Sequence, residues 1–364
     1  MEGNVIKVCL LANNPVADTG YGIDRYCFEL SERVRRYFNL TILSQGTLSN
    51  ILYWGVKEII LPIKTIPVRA DVYHAASPQL AKAALLFHKF PLVTTFHDLI
   101  PIKESLTSFY QKKLNFSASV RFQYLRICSR IAVRSDILIA PFEVTRRDLI
   151  STLGVNPNKI RIISYGVNTN RFRPLKLSNN MLKKKEGKKI VLFVGGFSTA
   201  KGTDVLMEAF KTVVEKFSKV ELWICGKWFF FDGIKLAKNL GILEHIRFLG
   251  HIPEDKLPIY YNLADVVVMP SKIGFCLPIL EGMACKKAII TSDTPDIKEI
   301  VGDSVITVFP NDVDKLAELI CYVLTDEALR EELAYKAYQK ANCLSWDNIA
   351  KKTMDVYLEL VNNE

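Results

Sequence analysis

Four short stretches hold the residue types that chemistry on a phosphorylated substrate would need. The stretch GGFSTAKG (195–202) joins an apolar, strand-like run to a helical one. Lys201, at the mouth of that helix, can set an ammonium charge on a phosphate; a solvated loop lysine is the plainer reading. The stretch PSKIGFCLP (270–278) leads into a helical run over 279–285. Pro278 suits a first helical turn, where its missing N–H costs nothing, and the amides of Gly274, Phe275, Cys276 and Leu277 can then point at an anion. Glu281 lies one turn further on, too close to an anion site to be explained by phosphate binding. A carboxylate there can accept hydrogen bonds from a ribose diol, or simply sit favourably near a helix N-terminus. TGYGI (19–23) precedes a helical run over 24–36. Gly20 and Gly22 allow a backbone to approach a ligand closely, and equally make a bare turn. The fourth stretch is His97-Asp98, after another strand pattern. Neighbours on a strand face opposite ways, which argues against a metal pair. His251 follows a strand end and fits a nucleotide-facing role or that of a plain loop histidine.

The elements that would position these loops alternate along the whole chain. Short apolar runs at 5–11, 40–44, 71–73, 92–96, 136–140 and 160–164 read as one series of strands. Runs at 191–196, 221–226, 246–250, 265–270, 288–292 and 305–309 read as a second. Between them lie stretches with apolar residues at three- and four-residue steps, as at 201–217 and 316–324. Continuously apolar strands belong in parallel sheets covered on both faces. The chain therefore reads as α/β, with two doubly wound units, and 364 residues suit about two domains. The polar, lysine-rich segment before residue 190 reads as a linker, and the tail from Ser345 as an amphipathic helix.

Composition excludes several classes. The chain is 49% apolar and 24% charged, the balance of a globular protein rather than a disordered or fibrous one. The opening residues are too short and too weakly basic for a signal peptide, and no apolar run approaches a membrane span. Eight scattered cysteines without a CxxC pair read as reduced thiols, so a cytoplasmic location is expected. Five histidines show no zinc spacing. A net charge of +10 points to an anionic partner without choosing one. Residues 1–177 carry 24 basic and 12 acidic side chains, and 14 of the 16 arginines. Arg126, Arg130 and Arg134 recur on one helical face, either solvated or resting on anionic headgroups. WFFF (228–231) reads as buried packing or as an exposed patch for a lipid acceptor.

Taken in order, GYGIDRYCFEL (20–30), TTFHDLIP (94–101), KIRIISYGVNTNRFRP (159–174), VGGFSTAKGTDVLMEAF (194–210), IRFLGHIPEDKLPIYYNLADVVVMPS (246–271) and GFCLPILEGMA (274–284) resemble the family 4 glycosyltransferases. These are group 1 enzymes of the GT-B fold, retaining and dependent on nucleotide-sugars. The resemblance implies two Rossmann-like domains facing a cleft. The first, 1–170, would lie on the acceptor side, with the helix 345–364 packing back onto it. A linker, 171–189, would lead to a nucleotide-sugar-binding domain at 190–344. Lys201 falls on the family's diphosphate-binding lysine, and Glu281 on the second glutamate of its E-x7-E element, which binds the donor ribose. His97 matches a histidine near the transferred sugar, with Asp98 beside it on the acceptor side. Gly20 and Gly22 match the loop that approaches the diphosphate from the other side.

Two positions depart from the family pattern. Gly196 stands where a phosphate-binding arginine is usual, and Ile273 replaces the first glutamate of E-x7-E. That carboxylate usually contacts hydroxyls of the donor sugar, so its loss opens a second reading, a non-catalytic GT-B scaffold. The reaction implied is transfer of a hexose, with retention, from a UDP-, GDP- or ADP-sugar to a glycan or polyprenyl-linked acceptor. It would need no metal and no cofactor, and the departing phosphate would take the acceptor's proton. The basic first half would then rest on the inner membrane face. Nucleic-acid binding has only charge in its favour and no recognisable motif.

Overall fold

The computed structural model describes residues 5–14, 22–44, 59–99, 102, 116–179, 183, 185–226, 232–275 and 277–362. The chain forms two compact units: Met1–Tyr165 with Trp346–Glu364, and Gly166–Ser345.

Unit 1 holds β1 (Lys7–Ala12), α1 (Gly22–Val34), β2 (Asn39–Ser44), β3 (Val72–Ala75), α2 (Pro78–Leu85), β4 (Leu92–Thr95), α3 (Phe116–Ala132), β5 (Ile137–Ala140), α4 (Glu143–Leu153) and β6 (Ile160–Ile162). Its sheet runs β2-β1-β3-β4-β5-β6, with every pairing parallel. The order reverses between β1 and β3, so the crevice at their C-terminal ends is where such a sheet takes ligands. Strands β3, β4 and β5 are buried at every residue, as expected of central strands covered on both faces.

Unit 2 holds β7 (Lys189–Val194), α5 (Thr203–Lys216), β8 (Val220–Cys225), α6 (Gly233–Leu240), β9 (Ile246–Gly250), α7 (Leu257–Leu263), β10 (Val266–Met269), α8 (Leu277–Ala284), β11 (Ala288–Ser292), α9 (Pro295–Val301), β12 (Ile306–Val308), α10 (Val313–Thr325) and α11 (Glu327–Asn342). The sheet order is β12-β11-β10-β7-β8-β9, again parallel throughout. Read from β7, this is the doubly wound Rossmann order, and its reversal lies between β7 and β10.

All twelve strand patterns of the sequence are present, with ends that match or shift by one or two residues. The segment read as a linker behaves differently. Residues from Gly166 onward are tied into unit 2. Phe172 is buried edge-on against Tyr261, Arg171 pairs with Glu254 at 2.5 Å, and the Leu175 amide donates to Asn262 Oδ1 at 2.9 Å. Lys185 and Lys188 pair with Asp265 and Glu221. Sparse apolar residues hid this packing, because each contact rests on a single side chain.

The tail forms α12 (Trp346–Asn362) and returns to unit 1. Trp346 is buried edge-on against Tyr26 at 5.9 Å. Arg33 bridges Glu29 at 2.6 Å and Asp347 at 2.9 Å, and Arg161 pairs with Glu359. Within the core, Tyr357 Oη hydrogen-bonds His74 Nδ1 at 2.6 Å. His74 Nε2 meets Thr95 Oγ1 at 2.8 Å, and Thr95 meets Tyr26 Oη at 3.2 Å. This chain of buried polar groups fixes α12 in register over β3.

Counted by unit, the charge is less lopsided than along the sequence. Unit 1 carries 23 basic and 16 acidic residues, and unit 2 carries 25 and 22. Arg171, Arg173 and Lys176 belong to unit 2, and α12 returns acidic side chains to unit 1.

Candidate functional site

In unit 2 the two loops singled out from sequence leave the strands that flank the sheet reversal. The first follows β7. Gly195 and Gly196 lead to a turn of 3-10 helix, Thr199–Lys201, whose last residue is Lys201. The second follows β10 and runs from Pro270 into α8. The two are fastened together. The Lys272 amide donates to the Ala200 carbonyl at 3.0 Å, and the Lys272 ammonium pairs with Asp204 of α5 at 2.9 Å. Ser271 Oγ donates to the Ile273 carbonyl at 2.8 Å, which shapes the turn before Gly274.

Gly202 completes this join. It adopts a left-handed φ of +69°, and a Cβ on it would lie 1.9 Å from the Pro270 carbonyl oxygen. Gly202→Ala is therefore expected to force the loops apart, at a cost of about 2–3 kcal/mol. Gly154→Ala provides the control: φ is +65°, with nothing within 4 Å, so only the backbone term of about 1 kcal/mol applies. Thermal melts check the pair, and equal losses would contradict the close approach at Gly202.

Glu281 sits in α8, buried to 2% exposure. Tyr261 of α7 donates to its Oε2 at 2.7 Å, with a longer contact to the Pro278 carbonyl at 3.3 Å. Gly274 and Phe275 lie on the loop before α8 and Leu277 opens the helix, all three partly exposed. The structure thus gathers Gly196, Lys201, Gly274, Phe275, Leu277 and Glu281 at one end of one sheet. That end carries a cationic side chain, a helix start and a carboxylate, a set suited to a diphosphate with an adjoining diol. Cys276, Gly20 and the 228–231 aromatic run lie outside the described residues.

In unit 1, His97 follows β4, one strand away from the sheet reversal, and Asp98 beyond it is exposed. Gly22 is the first residue of α1. His97 Nε2 lies 2.9 Å from the Ala76 carbonyl, and Nδ1 lies 2.9 Å from Tyr165 Oη. Burial lowers the imidazole from its usual 6.5 to about 4, although the Ala76 bond opposes this. His74 falls to about 3, first through burial and then through the nearby His97. Both rings are neutral at pH 7.

These histidines make the fold acid-sensitive. Below about pH 6.5 the unfolded chain takes up protons that the folded chain refuses, so stability falls as pH falls. His74 alone is expected to remove about 2 kcal/mol between pH 7 and pH 5. Urea midpoints across that range check this, and a flat profile would contradict it.

Sequence reasoning did not find Tyr261, Tyr165, Tyr26 or the Lys272–Asp204 pair. Tyr26, Tyr165 and Tyr261 all lie inside the motif stretches quoted above, but nothing in their spacing marks them as partners of Glu281 or His97.

Comparison with known proteins agrees with the two-unit fold. The family described as Glycosyltransferase Family 4 matches residues 20–171, and Glycosyl transferases group 1 matches residues 177–340. An uncharacterized glycosyltransferase of Methanocaldococcus jannaschii is 31% identical over 227 residues, 58% of this chain and 57% of that protein. The match thus spans less than two thirds of that relative's length. Among solved structures, sucrose-phosphate synthase from Thermosynechococcus elongatus has a TM-score of 0.82 at 19% identity, covering 99% of this chain and 100% of that one. HepE of Anabaena, solved with UDP-glucose, has a TM-score of 0.75 at 16% identity, covering 97% and 100%.

Proposed function

Because the chain belongs to the group 1, family 4 glycosyltransferases, we propose that it moves a hexose from a nucleotide-diphosphate sugar to an acceptor hydroxyl, with retention and without a metal. One observation carries the proposal: the loops after β7 and β10, with Lys201 and Glu281, meet at the sheet reversal of unit 2. The UDP-glucose held by the Anabaena neighbour supports a nucleotide-sugar as donor.

The difficult moment of such a transfer is loss of the diphosphate, as the sugar approaches an oxocarbenium ion. Stabilising the charge on that leaving group is the protein's main task. Lys201 supplies a cation, the amides of Gly274, Phe275 and Leu277 supply donors, and the start of α8 adds its dipole. Glu281, held by Tyr261, offers acceptor oxygens to the ribose hydroxyls. His97 is a poor base with its pKa near 4, so its part is to shape the sugar's surroundings. The departing phosphate is then left to accept the acceptor's proton, with Asp98 on the acceptor side.

The acceptor is a glycan or polyprenyl-linked hydroxyl at the inner face of a membrane. Arg130 is exposed on α3 and Ile127 beside it is 55% exposed, which suits anionic headgroups. Of the other two arginines of the stripe, Arg134 lies beyond the helix end and half-buried Arg126 donates to the Ile102 carbonyl at 3.2 Å. Among the described residues no helix is long and apolar enough to cross a membrane. Thermal shift with UDP, GDP and ADP tests the donor site. One of them should raise the melting temperature, and no shift with any would refute the assignment.

Ile273 favours a second reading, a scaffold that binds nucleotide without transferring sugar. Its loop presents an aliphatic side chain where the family has a carboxylate. Donor hydrolysis by the purified chain would refute that reading.

A further inference from the structure

Neither ring nitrogen of His97 is turned to a substrate; both are occupied inside unit 1. The Ala76 carbonyl at 2.9 Å can only accept, so Nε2 carries the proton. A neutral imidazole then has its lone pair on Nδ1, and the group 2.9 Å away is the Tyr165 hydroxyl. The tyrosine ring also stacks on the imidazole, 5.9 Å between centroids and 13° between planes. Tyr26 closes the cluster edge-on, 5.1 Å from His97 and 6.4 Å from Tyr165. Phe142 packs against the tyrosine at 5.6 Å.

We propose that Tyr165 is a positioning residue for the transfer reaction: its hydroxyl donates to His97 Nδ1 and locks the ring as the Nε2–H tautomer. The proposal rests on the reading that His97 borders the bound sugar. A ring flip about χ2 would break the bonds at both nitrogens and move the ring against two aromatic neighbours. His97 therefore offers a rigid wall rather than a proton acceptor. The position of Tyr165 in the chain adds a consequence. It is the last residue of unit 1 before the chain passes to unit 2, and Trp346, the first on the return, packs on the same Tyr26 ring. The residues at both crossings thus help set the histidine.

The titratable groups around the ring are Tyr26 of α1, His74 of β3, Tyr165 after β6 and Asp98 next in the chain. Removing the donor from Nδ1 destabilises the neutral ring, so Tyr165→Phe should raise the His97 titration by about half to one pH unit. Nitrogen-15 spectra of histidine-labelled protein read this directly, with the His97 signal identified by its loss in His97→Asn. Wild type should show a fixed Nε2–H pattern from pH 5 to 7.5, and Tyr165→Phe a mixture of tautomers. Transfer should fall about 3- to 10-fold in kcat/KM, and Tyr165→Phe should add nothing to His97→Asn. An unchanged His97 signal in Tyr165→Phe would overturn the proposal. A shifted signal with full transfer by His97→Asn would uphold the hydrogen bond and refute the placement of His97 at the sugar.

Discussion

Lys201→Met is expected to lower sugar transfer roughly 100- to 1000-fold, the cost of removing one preorganised group from a developing oxyanion. Binding of the nucleoside diphosphate should fall less, by about 10- to 150-fold, as expected for a lost charge-assisted hydrogen bond. The two losses differ because the leaving diphosphate carries more charge in the transition state than in the bound donor. Methionine keeps the stem of the side chain, so packing of the turn should survive. That turn is held independently of the ammonium group, by the Lys201 amide to the Ser198 carbonyl at 3.0 Å and by Gly202 against Pro270. Lys201→Arg should fall between, since the charge remains but the planar fork differs in reach. Isothermal titration and single-turnover rates check the series. Wild-type binding and turnover in Lys201→Met would remove Lys201 from the donor site.

The second large effect belongs to Glu281. Glu281→Ala is expected to weaken nucleoside diphosphate binding by about 10- to 150-fold, since a carboxylate hydrogen-bonding a diol is worth about 1.5–3 kcal/mol. A ligand pair isolates the cause. Wild type should prefer a ribose diphosphate over its 2′,3′-dideoxy analogue, and Glu281→Ala should bind both equally. Tyr261→Phe should give part of the same effect, because its hydroxyl fixes Oε2 at 2.7 Å. Persistent preference for the ribose in Glu281→Ala would place the diol elsewhere. Loss of folding in that variant would be separated by the milder Glu281→Gln, which keeps an oxygen for Tyr261.

The fold was legible because buried parallel strands read as unbroken apolar runs, such as IVLFV in β7 and VVVM in β10. Lys201 and Glu281 stood out as candidates because each belongs to a strand–loop–helix junction, Lys201 in the turn after β7 and Glu281 in the first turns of α8. Their supports were not. Tyr261 stands 20 residues before Glu281, Tyr165 stands 68 residues after His97, and the Ala76 partner of His97 is a backbone carbonyl. Such contacts follow from sheet order, which brings β3, β4 and the end of β6 together and leaves no local pattern. Charge misled for a related reason. A charge count cut at residue 177 took in Arg171 and Arg173, which packing places in unit 2. The membrane reading thus leans on the exposed face of α3 more than on net charge.

The central claim is turnover of a nucleotide-sugar at the unit 2 site. Its most direct measurement is release of nucleoside diphosphate from a panel of UDP-, GDP- and ADP-sugars by the purified chain, beside Lys201→Met. At least one donor should be consumed by wild type and none at a comparable rate by the variant. Equal release by both proteins, or none from any donor, would contradict the account.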